Sequence, residues 1–128
     1  MELYTYIPVP KAPFLFSCTE RMLLLGSCFA ENIGTRLAGN KFNVDINPFG
    51  TLYNPASIAA ALRMLLHPER FTAKDLLQQG GVYHSFAHHS RFSSTSEKEC
   101  LENINDRLFA SAGELRETKY IVVTLGTA

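Results

Sequence analysis

The chain has 128 residues, 46% hydrophobic and 19% charged, which is typical of a globular domain and not of a disordered chain. Twelve Lys and Arg residues balance twelve Asp and Glu residues, so the formal net charge is zero and does not favour nucleic acid or an anionic membrane as a partner. No apolar run is long enough to span a membrane, and we expect one domain over residues 1–128. The three cysteines are odd in number and lack metal-ligand spacing, which favours free thiols. The N-terminus does not resemble a signal peptide, which favours a cytoplasmic location.

The first predicted strand and helix follow a proline-punctuated, extended arm over residues 1–21. The apolar run 22–25 is typical of a strand buried on both faces of a parallel sheet. After Gly26, the apolar residues Phe29, Ile33 and Leu37 recur at every fourth position, which predicts a helix over residues 28–38. Ser27 is therefore expected where a buried strand turns into a helix, beyond the carboxyl end of the sheet.

Five further segments complete the predicted fold. They are a half-exposed strand over 42–46, a helix opened by Asn54-Pro55, a short helix from Thr72 to Gly80-Gly81, a helix opened by a Ser96/Glu99 capping box, and a buried strand over 120–125. This order predicts an α/β fold, a three-layer doubly wound parallel sheet of which the chain supplies an incomplete N-terminal portion. The exposed edge of the last strand predicts self-association.

Ser27 has two interpretations. A serine at a helix start is commonly an N-cap, whose hydroxyl accepts a hydrogen bond from a backbone N–H. The same position suits a nucleophile, because free N–H groups and the helix dipole stabilise a developing oxyanion.

The sequence Gly26-Ser27-Cys28-Phe29-Ala30 resembles the signature of the GSCFA family, which is itself similar to the SGNH hydrolases. The resemblance implies a flavodoxin-like sheet of SGNH type and a nucleophile in this turn, where those enzymes carry Gly-Asp-Ser. Aligned on the glycine, Cys28 takes the place of the serine; aligned on the hydroxyl, Ser27 does. We adopt Ser27 as the predicted nucleophile, with an exposed hydroxyl.

The same resemblance implies where the other site residues lie. The glycine of the second SGNH block matches Gly50, and the N–H groups of Ser27 and Gly50 would bind the oxyanion. A glycine in a turn is alternatively explained by backbone geometry alone. The third block, Gly-x-Asn, is echoed by Gly126-Thr127-Ala128 with alanine in place of asparagine. The Asp-x-x-His pair that supplies the base does not occur here, and the resemblance implies a C-terminal part beyond residue 128.

Three histidines, His84, His88 and His89, form the other dense cluster of functional side chains. They are compatible with a metal site, a substrate pocket or ordinary hydrogen-bonded structure, and we predict no metal and no cofactor. Further substrate-pocket candidates are Cys28, Asn47, Phe49 and Asn54.

The predicted function is that of an SGNH-like serine hydrolase, an esterase or acyltransferase acting on an ester such as an acylated carbohydrate. The chain alone is expected to have little activity. The alternative is a non-catalytic α/β module that binds a partner through the loop 47–54 and the segment 84–89.

Overall fold

The central element of the fold is β1 (Arg21–Gly26), in which residues 22–25 are all buried. A computed structural model describes residues 3–126 and places β1 between two parallel neighbours, β2 (Val44–Ile46) and β5 (Thr118–Thr124). A strand that is flanked on both sides and covered on both faces presents no side chain to water, which explains the uninterrupted apolar run. The prediction for this strand is confirmed.

The other elements lie between these three strands in the chain. In order they are α1 (Cys28–Gly39), α2 (Pro55–Leu66), the antiparallel pair β3 (Leu77–Gln79) and β4 (Val82–His84), and α3 (Glu97–Glu114), with 3-10 turns at Ala73–Asp75, Ser90–Phe92 and Leu115–Glu117.

Helices cover both faces of the three-stranded sheet. Leu23 and Leu25 pack with Phe49 and with residues of α2 and α3, whereas Met22 and Leu24 pack with α1. The connection from β1 to β2 therefore runs over one face, and the connection from β2 to β5 runs over the other. The predicted α/β fold is confirmed. The carboxyl end of β1 is a topological switch point, where open α/β sheets form a crevice for ligands.

Each of the three helices begins at a capping side chain that the sequence predicts. The hydroxyl of Ser27 accepts from the Phe29 N–H (3.3 Å), the Asn54 amide oxygen from the Ser57 N–H (2.8 Å), and the Ser96 hydroxyl from the Glu99 N–H (3.3 Å). The capping box at α3 is only half formed. The hydroxyl of Ser94 donates to the Glu99 carboxylate (2.7 Å) and accepts from the Ser96 N–H (3.1 Å). These two bonds replace the expected hydrogen bond from the Ser96 N–H to the Glu99 carboxylate.

The segment after α2 corrects one prediction. In place of a short helix from Thr72 to Gly80-Gly81, the chain forms one 3-10 turn and then the β3–β4 hairpin. Gly80 and Gly81 have φ of +59° and +76°, the left-handed pair that a two-residue hairpin turn requires. The glycine pair therefore reverses the chain instead of ending a helix.

Strand β2 corrects a second prediction, because its polar face is not exposed. Asp45 is buried and forms ion pairs with Arg107 of α3 and with Arg21 of β1. A second Arg107 hydrogen bond reaches the Ile46 carbonyl (3.1 Å). The alternation of polar and apolar residues correctly assigns them to the two faces of β2. The face that carries Asp45 is nevertheless buried, and the carboxylate is paired there with Arg107 and Arg21.

The two ends of the described chain meet on β5. The arm over residues 3–20 contains no helix or strand within the described residues, as predicted, and Phe14 and Phe16 pack on Tyr120 with ring centroids 6.1 and 4.7 Å away. Strand β5 is an edge of the described sheet, and Ile121 and Val123 of this strand are each about half exposed, as is Leu125 just after it.

The cysteines behave as predicted. All three are free thiols: Cys18 and Cys28 are exposed, and Cys100 is buried. Across residues 3–126, none of the helices is both long and apolar enough to cross a membrane.

Candidate functional site

The β1–α1 turn lies at the switch point of the sheet and brings Gly26, Ser27 and Cys28 together. Gly26 has φ +142°, and a Cβ there would lie 1.9 Å from the Thr124 carbonyl oxygen. Glycine is required because the ends of β1 and β5 approach too closely for a side chain. Ser27 follows with an extended backbone and begins α1, so the predicted strand-to-helix turn is confirmed.

Ser27 is buried, which corrects the expectation of an exposed hydroxyl. Only 7% of the residue is accessible. Its hydroxyl lies 3.1 Å from the Thr124 hydroxyl, and its N–H donates to the same Thr124 hydroxyl (3.1 Å) and to the Thr124 carbonyl (3.2 Å). The end of β5 therefore covers the Ser27 side chain, which was expected from the sequence to be exposed.

Cys28 has the exposure that was expected of Ser27. It is the first residue of α1, and its thiol is exposed. The first amides of a helix have no acceptor within the helix, and the Ser27 hydroxyl accepts only the Phe29 N–H of these. Among residues 3–126, nothing accepts a hydrogen bond from the Cys28 N–H. Among the described residues, the turn thus presents a thiol and an unpaired amide of the same residue at the positive end of a helix.

The turn over residues 47–50 lies against Gly26. The N–H of Gly26 donates to the Asn47 amide oxygen (2.9 Å), and the Leu52 N–H donates to the Gly26 carbonyl (2.8 Å). Gly50 has φ +81°, and a Cβ there would lie 2.2 Å from the His89 Cβ. The Gly50 N–H donates to the Asn47 carbonyl (2.8 Å). Both predicted oxyanion donors, the amides of Ser27 and Gly50, are thus engaged within the fold.

Asn47 joins the two turns and connects them to an ion pair. It is fully buried, with φ +42°, and its side-chain N–H donates to Glu31 of α1 (2.8 Å). Arg91 donates from Nη1 to Glu31 (2.9 Å) and from Nη2 to the Asn47 carbonyl (2.8 Å). Partial burial raises the pKa of Glu31, but the hydrogen bonds from Asn47 and Arg91 outweigh burial and hold it below its ordinary value.

Sequence reasoning missed both members of this ion pair. Glu31 and Arg91 are 60 positions apart, and the alternation of aromatic and polar residues over 82–93 does not indicate a partner for Arg91. No motif or spacing in the sequence could have paired them.

The three histidines occupy separate environments. His84 is hydrogen-bonded to the Ser93 hydroxyl (2.8 Å), and the His89 ring accepts from the Arg91 N–H (3.2 Å) while its backbone N–H donates to the Phe49 carbonyl. Within residues 3–126, no group of three potential ligands could hold a metal ion. The contacts of His84 and His89 match the interpretation of these residues as hydrogen-bonded structural groups.

His88 lies in an aromatic box. Its ring centroid is 5.0–5.2 Å from those of Phe49, Phe71 and Phe92, and its Nδ1 is 2.9 Å from the Ser85 hydroxyl. The other ring nitrogen is buried without a hydrogen-bond partner. Desolvation lowers the pKa of His88 to about 4. His88 is therefore a neutral, partly buried side chain near pH 7.

The remaining predicted residues are placed as follows. Phe49 is fully buried, Asn54 caps α2, and the Gly126 N–H donates to the Tyr53 carbonyl (3.0 Å). Thr127 and Ala128, which complete the echo of the third block, lie outside the described residues. A shallow groove on α1, lined by Phe29, Asn32, Ile33, Thr35 and Arg36, begins one residue after Cys28.

Comparisons with known proteins give one match. No curated protein and no solved structure is detectably similar to the chain. The model of the GSCFA family matches residues 21–128, a span that begins at the first residue of β1 and contains both turns of the site. The chain therefore belongs to the GSCFA family.

Proposed function

We propose that the β1–α1 turn carries the nucleophile of an acyl-transfer or ester-hydrolysis site of SGNH type. The observation that carries the proposal is the exposed Cys28, whose N–H donates to no acceptor among residues 3–126, at the start of a helix and at the switch point of the sheet. A helix N-terminus stabilises the negative charge of a thiolate and of the tetrahedral oxyanion that follows its attack.

Of the two candidate nucleophiles, exposure favours Cys28 over Ser27. The Ser27 hydroxyl is enclosed by Thr124 and also caps α1, so an ester carbonyl would have to displace both contacts to reach it. In the alignment on Gly26, Cys28 occupies the place of the SGNH serine. The oxyanion would then be bound by the Cys28 N–H. Gly50 would shape the turn over residues 47–50 without donating a hydrogen bond to the oxyanion.

The substrate class that we propose is supported by the resemblance to SGNH hydrolases and by the surface near the thiol. An ester such as an acylated carbohydrate would place its carbonyl at Cys28, and the groove on α1 between Phe29 and Ile33 offers an apolar contact for the acyl group. The general base belongs to the Asp-x-x-His pair that the SGNH pattern requires, so full turnover is proposed for a protein that contains this pair.

The non-catalytic alternative is less well supported. It needs the loop 47–54 and the segment 84–89 at the surface, but residues 47–50 are buried and the His88 ring packs against Phe49, Phe71 and Phe92. Tyr53 and Phe86 are exposed and are the residues of these segments that a partner could contact.

Acylation of the chain by p-nitrophenyl acetate tests the proposal without requiring turnover. The thiolate attacks the ester carbonyl, a thioester forms and p-nitrophenolate leaves. Peptide mass mapping then compares Cys28 with Cys18, an exposed thiol in the N-terminal arm that serves as an internal control. We expect Cys28 to be acylated about tenfold faster or more. Equal rates at the two thiols would refute the proposed activation by the turn.

A further inference from the structure

A charged pair outside the β1–α1 turn is connected to both halves of the proposed site through Asn47. Arg91 reaches Glu31 with one guanidinium nitrogen and the Asn47 carbonyl with the other. Asn47 in turn accepts the Gly26 N–H on its side chain and the Gly50 N–H on its carbonyl. Each bond in this chain is between 2.8 and 2.9 Å long.

We infer that Glu31 and Arg91 are positioning residues, whose ion pair fixes Asn47 and thereby holds the nucleophile turn against the turn over residues 47–50. In its catalytic consequence the inference rests on the proposed function. Its structural part is independent of the proposed function: the hydrogen bonds of the Gly26 and Gly50 amides depend on Arg91.

The burial of Asn47 distinguishes this pair from an ordinary surface salt bridge. Lys98 and Glu102 form an exposed pair at 3.7 Å, of the kind that contributes little to stability. Glu31 and Arg91 are about two-thirds covered, and each also satisfies a polar group of the fully buried Asn47. Without the Glu31 carboxylate the Asn47 side-chain N–H loses its acceptor, and without Arg91 the Asn47 carbonyl keeps only the Gly50 N–H. A buried polar group that loses a hydrogen-bond partner costs more than the ion pair itself.

The geometry also predicts that lysine cannot replace Arg91. Two separate nitrogens, Nη1 and Nη2, contact two acceptors on different elements. A lysine side chain ends in one ammonium, so Arg91→Lys keeps the charge but cannot make both hydrogen bonds, to Glu31 and to the Asn47 carbonyl, in the same geometry.

Amide hydrogen exchange, measured residue by residue by NMR, tests the inference directly. In Arg91→Met we expect protection of the Gly26 and Gly50 amides to fall about tenfold or more relative to the buried α3 residues Ile104 and Leu108, which report global stability. Arg91→Lys should resemble Arg91→Met. Lys98→Met, which removes the exposed pair, should leave all four amides unchanged.

Glu31→Gln provides a second route if Arg91→Met fails to fold, because it removes the charge and keeps an amide oxygen for Asn47. Unchanged relative protection of Gly26 and Gly50 in the folded variants, or full restoration by lysine, would overturn the inference. In a catalytically competent protein, Arg91→Met should lower kcat about tenfold with a smaller change in KM. If acylation proves independent of the turn while the two amides lose protection, the proposed function fails and the positioning role stands.

Discussion

Replacing His88 should remove a large part of the pH dependence of stability. The pKa of His88 is lowered from 6.5 to about 4 by its burial among Phe49, Phe71 and Phe92. Between these two values the unfolded chain binds a proton that the folded chain does not. The free energy of unfolding is therefore highest above pH 6.5 and falls as the pH is lowered toward 4.

The size of this effect follows from the pKa difference. At about 1.4 kcal/mol per pKa unit, His88 costs up to about 2 kcal/mol of stability at pH 5 and about 3 kcal/mol once the pH reaches 4. Glu31, whose pKa is held below its ordinary value, also loses stabilisation on acidification, but only as the pH falls through the carboxylate range. The interval from pH 7 to pH 5 therefore isolates the histidine.

Urea denaturation followed by circular dichroism measures this contribution, since the chain has no tryptophan to serve as a fluorescent probe. We expect His88→Gln to flatten the dependence of the free energy of unfolding on pH between 7 and 5, whatever its effect at neutral pH. His67→Gln is the matched control, because His67 is exposed at the end of α2. If His88→Gln keeps the wild-type slope, the desolvation argument is wrong.

Three further predictions concern the site and the sheet edge. Ser27→Ala should lower the free energy of unfolding by about 1 kcal/mol through loss of the N-cap, and leave acylation at Cys28 intact. Gly50→Ala should be more destabilising than Gly80→Ala, by about 2 kcal/mol, because both glycines have positive φ but only Gly50 faces another residue at contact distance. Self-association through the exposed β5 edge should be visible by light scattering and weakened by Val123→Lys.

Each of these has a clear contrary result. An acyl group that maps to Ser27 in the unmodified sequence and is lost in Ser27→Ala would return the nucleophile to the serine. Equal destabilisation by the two glycine substitutions would show that backbone strain alone sets the cost. A monomer over a wide concentration range would remove the case for pairing of β5.

The elements that sequence reasoning located best are those whose signal is local. The apolar run 22–25 and the caps Asn54 and Ser96 carry their own physical explanation, and the structure confirms each of them. The hairpin at Gly80-Gly81 was missed because adjacent glycines end helices and also form tight turns, and only pairing with β4 decides between the two.

The parts of the site that sequence reasoning missed depend on distant partners. Ser27 is covered because Thr124, 97 positions later, lies beside it. The pairing of Glu31 with Arg91 likewise depends on how the loop after β4 returns to α1. Contacts of this kind leave no periodicity in the sequence, and neither helix propensity nor turn chemistry could have indicated them.

The five residues Gly26 to Ala30 meet different requirements, although they are read as one motif. Glycine is required at position 26 because β1 and β5 approach closely there. Ala30 is fully buried on the side of α1 that packs against Met22 and Leu24. Cys28 and Phe29 face solvent, and the packing of the fold does not demand them. A homologue that kept the glycine and alanine but changed Cys28 and Phe29 would therefore retain this architecture without the thiol that we propose as the nucleophile.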